Sequence, residues 1–300
     1  MTLDPRLHAY HDDLADIALR GKVEALRFVK PELRQMTVSI ASVHAEPRMD
    51  AATVTEALLG EQVNVFQVKD GWAFVQLVAD RYVGYLPARC LTSQVLETTH
   101  RIAVPSTLLY VRPDIKATPV QHVYMNSLVS VIKIEGDFAR LRDHRFVWLK
   151  HLMPTGTTWD DPATVAEAFV NVPYLWGGRS AAGLDCSALV QLAWQACGFD
   201  CPRDADMIQS SFGHPLQRDR NLKLARNDMV FWKGHVGLML DSSSLIHANG
   251  YHMQVVVEPL SSAIGRIASL YGQVTGVSRV PEMHKPGSPG EAPVPKGSHD

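Results

Sequence analysis

From about Met36 to Lys150 the chain alternates apolar and polar residues with a period of two, in short runs. TVSIASV, EQVNVFQV, WAFVQLV and YVGYL come first, then RIAVP, LLYVR, SLVSVIKI, FARLR and FVWLK. Turn signals such as Asp70-Gly71 divide them. The pattern also repeats: EQVNVFQVKDGWAFVQL set against NSLVSVIKIEGDFARLR gives a weak internal repeat of about 65 residues. Each copy carries about five short strands, which predicts two small barrels in tandem, over 36–95 and 96–158.

The flanks read differently. Residues 1–35 carry an apolar stripe (Leu14, Ile17, Ala18, Ala25, Phe28, Val29) that predicts a largely helical segment ending before Pro31. Beyond Pro154-Thr155-Gly156 the texture mixes helical stretches (ATVAEAFVNV, CSALVQLAWQACG) with strands (MVFW, VGLML, LIHAN, VVVEPL). Residues 159–282 are therefore expected to form an α+β domain. The tail 283–300 is rich in Pro and Gly and is expected to be disordered.

Composition excludes more than it selects. A net charge of −2 gives no electrostatic case for nucleic acid or an anionic membrane as partner. No run of about 18 apolar residues suggests a spanning helix, and MTLDPRLHAYHDDLADIALRGK lacks the pattern of a signal peptide. A cytoplasmic location is expected. Four cysteines are too few for a disulfide framework, and Cys197 and Cys201 lack a second ligand pair for zinc. Cys90, Cys197 and Cys201 are read as buried reduced thiols.

The stretch with chemistry in it is YLWGGRSAAGLDCSALV, Tyr174 to Val190. Asp185 suits the N-cap of a helix starting at Cys186, Leu189, Leu192, Ala193 and Ala196 share one face, and Gly198 can end it. A cysteine in the first turn of such a helix sits where backbone N–H groups favour a thiolate. A proton carrier is needed too. His235 opens the strand HVGLML and His247 lies in LIHANG; a hairpin centred near Asp241 would set the two opposite each other, about 5 Å apart. One imidazole could then orient the other toward the thiol. Taken singly, a cysteine after Asp is usually a core thiol and a strand histidine usually structural. Their joint order carries the weight.

That order resembles the NlpC/P60 family of papain-like peptidases over roughly residues 160–281, with YLWGG…DCSALV followed by PRDADMIQ, NDMVFW, HVGL and LIHANG. The resemblance implies an α+β papain-like catalytic domain, with Cys186 as nucleophile, His235 as general base and His247 as the residue orienting it. No metal or organic cofactor is implied. Two SH3-like barrels ahead of such a domain are similar to the arrangement in γ-D-glutamyl-L-diamino acid endopeptidases that recycle murein peptides and require a free N-terminal L-Ala. On that likeness, Tyr174, Trp176, Asp185 and Ser187 line the substrate cleft. Asp204 would meet the substrate's ammonium group, helped by Glu46 and Tyr82 from the first barrel, which closes that end. The chain departs from the pattern at Ala205, where the family often has Ser, removing one potential hydrogen bond to substrate. It also has Asn227-Asp228 in place of Gly-Asp; Asn tolerates positive φ, so the turn can survive. A different class of reading makes the chain an SH3-type binding module, with an inactive, amidase or acyltransferase domain as scaffold. The diamino acid, meso-diaminopimelate or lysine, stays open, as does the oligomeric state.

Overall fold

The computed structural model describes residues 3–217 and 222–281; the predicted disordered tail lies outside them. Three compact β-rich units follow one another, and the first packs directly against the third.

The first unit is a seven-stranded antiparallel sheet. Its strand order is Leu91–Thr92, Glu32–Met36, Gln62–Lys69, Trp72–Leu77, Val83–Pro87, Ile40–His44 and Thr53–Leu58. Alternation puts Met36, Val43, Val63, Val75, Leu77 and Leu86 into one core. The Asp70-Gly71 hairpin has both residues at positive φ (50° and 81°), matching the twist of the flanking strands.

The same connectivity returns in the second unit. Ser106–Tyr110 pairs with Pro119–Tyr124 and Phe146–Trp148, as Ile40–His44 pairs with Thr53–Leu58 and Val83–Pro87. A 3₁₀ turn at Leu149–His151 leads to a strand paired with His100–Ile102, as the turn at Ala88–Cys90 leads to one paired with Glu32–Met36. The 65-residue sequence repeat is thus a repeat of topology. The two units touch tightly: the Leu128 N–H donates to Leu59 O at 2.8 Å. A side chain on Gly60, at φ +79°, would collide with the Leu128 carbonyl.

The N-terminal prediction is corrected. Residues 3–35 hold no α-helix; Tyr10–His11, Leu14–Asp16 and Arg27–Val29 form a small sheet, with one 3₁₀ turn at Ile17–Leu19. Leu14 and Ala9 are buried against Phe66 and Phe74 of the first unit, while Ile17 of the predicted stripe is exposed. Tertiary packing decides here: the segment lies along the barrel, with Val83 N–H bonded to Arg6 O and the Gln76 amide to Leu7 O, both at 2.8 Å. Gly21 at φ +79° interrupts the run where a helix would need to continue.

The third unit is α+β, as predicted. Its antiparallel sheet runs His214–Pro215, Gly276–Arg279, Met229–Trp232, His235–Met239, Ser244–Asn249, Gln254–Pro259. Helices α1 (Pro162–Glu167), α2 (Cys186–Ala196), α3 (Ala205–Ser211) and α4 (Leu260–Tyr271) accompany it. Helix α2 is buried along nearly its whole length, Ala188, Leu189, Leu192 and Ala193 meeting Phe231, Val236, Leu238 and Ile246 within one core. Asn227 does take positive φ (72°), so the turn before Met229–Trp232 forms without glycine. No helix among the described residues is long and apolar enough to cross a membrane.

An ion pair and its surrounding hydrogen bonds join the first and third units. Arg179 is buried and donates to Glu61 at 2.6 Å and 3.3 Å and to Glu56 O at 2.9 Å, while its own N–H donates to the Glu56 carboxylate at 2.7 Å. Burial pushes Glu56 up to about 7 against the pull of that N–H and of Arg179. Met207 of α3 completes the first unit's core.

Candidate active site

Cys186 is the first residue of α2. Asp185 caps the helix, its carboxylate accepting from Ala188 N–H at 2.8 Å. The same carboxylate accepts from Gly177 N–H at 3.0 Å, which ties the Tyr174–Gly178 turn to the helix start. Arg203, 1% exposed, grips Asp185 with two nitrogens at 2.9 Å and 2.7 Å and also donates to Ser187 Oγ and Thr55 Oγ1. One buried guanidinium therefore fixes both neighbours of Cys186 and a residue of the first unit.

The Cys186 sulfur lies 4.0 Å from Gly234 O, and the Val236 N–H also points at it. It thus rests on the backbone on either side of His235. His235 opens a line of hydrogen bonds: Nε2 to His247 Nδ1 at 2.8 Å, then His247 Nε2 to Glu258 Oε1 at 2.7 Å. Arg266 bonds Glu258 as well and stacks over Tyr251 at 4.6 Å.

This line fixes the tautomers. The hydrogen bond from His247 holds the Glu258 carboxyl below its usual range, so it is an acceptor. Burial lowers His247 toward the neutral form; with the Glu258 carboxylate as acceptor, Nε2–H donates there, although the Asn249 amide also lies 3.0 Å from that nitrogen, and Nδ1 accepts. His235 must then donate through Nε2–H. That leaves a bare Nδ1, the lone pair a general base needs.

Charge distribution departs from the thiolate expected at a helix start. Burial, followed by the Asp185 charge, pushes the Cys186 thiol up to about 12, against the Val236 and Ser187 amides and Arg203. Burial, followed by His247, drives His235 down to about 3. Desolvation outweighs the helix dipole, whose effect at a terminus is about 1 kcal/mol. Both shifts favour thiol and neutral imidazole over the ion pair. The Cys186 N–H, at the first position of α2, has no partner within its helix and can receive an oxyanion.

The predicted hairpin is corrected in register. Its loop centres on Ser242 rather than Asp241, because the Asp241 carboxylate bonds the Ser243 and Ser244 N–H groups and Leu240 pairs with Ser244. With Leu238 opposite Ile246, the next step of the register sets His247 beside Gly237. The two histidines therefore meet as diagonal neighbours on one face, which their long rings bridge.

Of the other predicted residues, Tyr174 is half-buried and close enough to Cys186 to sense its charge, while Trp176 is exposed at the cleft. Asp204 receives the Tyr82 hydroxyl at 2.9 Å, joining the third unit to the first. Glu46 is not brought to them: it is exposed and pairs with Arg48 at 3.1 Å on its own loop. Arg6 instead reaches Asp204, at 2.8 Å, and also Asp206. Sequence reasoning missed Arg6, Arg203, Glu258 and Arg266. A charged residue in the otherwise apolar VVVEPL strand was the one available signal for Glu258.

Beside His235, on the side that Asp204 and Tyr82 do not line, opens a cavity of about 400 Å³ lined by Tyr174, Trp176, Lys233, Tyr251, Arg266 and Tyr271 among others.

Residues 171–268, which include Cys186, His235, His247 and Glu258, match the NlpC/P60 family; residues 43–91 match the bacterial dipeptidyl-peptidase Sh3 domain. The chain is 25% identical to dipeptidyl-peptidase 6 of Lysinibacillus sphaericus, over 70% of this chain and 85% of that one. It is 26% identical to a gamma-D-glutamyl-L-lysine dipeptidyl-peptidase of Bacillus cereus, over 69% of this chain and 71% of that one. A crystal structure of an NlpC/P60 family protein from Bacillus cereus superposes with a TM-score of 0.69 at 21% identity, covering 82% of this chain and 99% of the other, and shares the fold.

Proposed function

We propose that this chain, a cysteine peptidase whose NlpC/P60 domain stands behind a bacterial Sh3 domain, hydrolyses the γ-D-glutamyl-L-diamino acid bond of murein peptides with a free N-terminal L-Ala. The observation that carries the reading is Asp204 held by Tyr82 across the domain boundary, one residue from the Arg203 that grips Asp185. Asp204 is a partly buried carboxylate between the two units, now paired with Arg6; in this reading the free ammonium of the substrate takes the place of that guanidinium, and an acylated amine has no charge with which to do so. The curated Bacillus relatives carry names of the same activity. Recognition of the amine then rests on Asp204 and Tyr82 rather than on Glu46.

In this mechanism the Cys186 sulfur adds to the γ-carbonyl carbon while its proton passes to His235 Nδ1. The oxyanion takes the Cys186 N–H, and the imidazolium is held in place and stabilised by the hydrogen bonds that run through His247 to the Glu258 carboxylate. The proton on Nδ1 goes to the departing α-amine as the C–N bond breaks, leaving a thioester. Water, deprotonated by the same Nδ1, adds to the thioester; the sulfur leaves and recovers its proton. Tyr174, Trp176 and Ser187 shape the cleft. We read residues 96–158 as a second SH3-like barrel, because their connectivity repeats that of the Sh3 unit. We also place the work in cytoplasmic recycling of wall peptides, where four unpaired thiols are kept reduced.

The test compares L-Ala-γ-D-Glu-meso-diaminopimelate with its N-acetylated form, by mass spectrometry of products. The free peptide should be cleaved and the acetylated one left almost untouched, with no cleavage by Cys186→Ala. Equal cleavage of both peptides would remove the amine pocket, and full turnover by the Ala variant would remove the nucleophile.

A further inference from the structure

The cavity beside His235 lies on the leaving-group side if Asp204 holds the amine end, so this inference rests on the reading above. Its charge is one-sided. Lys233 and Arg266 are among its lining groups, and no carboxylate lines it among the described residues. Arg266 is already committed to Glu258 and stacked on Tyr251. Lys233 is exposed and forms no ion pair among the described residues.

Its position is fixed by the chain. Trp232 pairs with His235, so Lys233 and Gly234 form a two-residue turn, Gly234 supplying positive φ (71°). The lysine side chain is thereby rooted two residues from the imidazole that would protonate the leaving amine. A diamino acid departing into this cavity presents the far end of its side chain. In lysine that end is a bare ammonium, which a second ammonium repels. In meso-diaminopimelate it also carries a carboxylate, an acceptor for Lys233.

We infer that Lys233 is a specificity-determining residue that selects diamino acids ending in a carboxylate, favouring meso-diaminopimelate over lysine at the leaving position. This differs from the lysine in the names of the Bacillus relatives. A charge-assisted hydrogen bond to an exposed lysine is worth roughly two- to fivefold in kcat/KM.

The experiment measures kcat/KM on L-Ala-γ-D-Glu-meso-diaminopimelate and L-Ala-γ-D-Glu-L-Lys, which share the α-carboxylate and differ at the side-chain end. The wild-type chain should prefer the former by roughly two- to fivefold. Lys233→Met should bring the ratio near one by losing rate on the diaminopimelate peptide, chiefly through KM, and Lys233→Glu should invert it. A wild-type chain that cleaves both alike, or a Lys233→Met variant that keeps the preference, overturns the role of Lys233 and leaves the peptidase reading standing. Cleavage of neither peptide overturns the γ-D-glutamyl reading and this inference together.

Discussion

Replacing Arg203 by methionine should be among the most destabilising single changes near the cleft. The side chain is 1% exposed and makes five hydrogen bonds: two to Asp185, one each to Thr55, Ser187 and Gly178 O. Methionine fills much of the same volume but leaves the Asp185 carboxylate, itself 7% exposed, without a counter-charge. Stranding one member of a buried ion pair costs about 3–5 kcal/mol, against a typical total stability of about 5–15 kcal/mol. Because the desolvated charge dominates, removing it as well should restore stability. Asp185→Asn keeps an oxygen for the Ala188 N–H, so the cap survives in the double variant. Urea unfolding followed by tryptophan fluorescence is the assay. Arg203→Met should lose about 3 kcal/mol or more, and Asp185→Asn/Arg203→Met should recover at least ~1 kcal/mol of it. A single variant within ~1 kcal/mol of wild type, or a double variant as unstable as the sum of the two singles, would refute the reasoning.

Glu258→Gln no longer forces His247 to donate through Nε2, so His235 loses its fixed tautomer; kcat/KM should fall roughly 10–100-fold with KM little changed, and unchanged kcat would dismiss the role of this hydrogen-bond line. His235 titrates near 6.5 when unfolded but near 3 when folded, so below pH 6.5 the unfolded chain binds a proton that the folded one refuses. Its stabilisation is complete above about pH 6.5 and is lost as pH falls toward 3, by at most about 1.4 kcal/mol per pH unit. Thermal melting between pH 7 and 4 should show this slope, flattened in His235→Gln; an identical slope in the variant contradicts the burial of a neutral imidazole.

Much of the site was legible in order along the chain. Asp185 before Cys186, the face of α2, Gly198 as its stop and the strands bearing His235 and His247 are local features, set by capping preference and periodicity. The tandem repeat is local too, since each strand and turn is encoded by its own few residues. What the sequence could not decide depends on groups that meet only after folding. Leu14 belongs to a strand because Phe66 and Phe74 are there to cover it; a stripe of apolar residues does not say what will lie against it. Glu258 joins His247 and Arg6 joins Asp204, 198 positions away, because strand pairing and domain packing bring them together. Electrostatics is decided last: a helix start argues for a thiolate in any chain, but whether water reaches Cys186 is a property of the closed tertiary structure, and its burial pushes the thiol up.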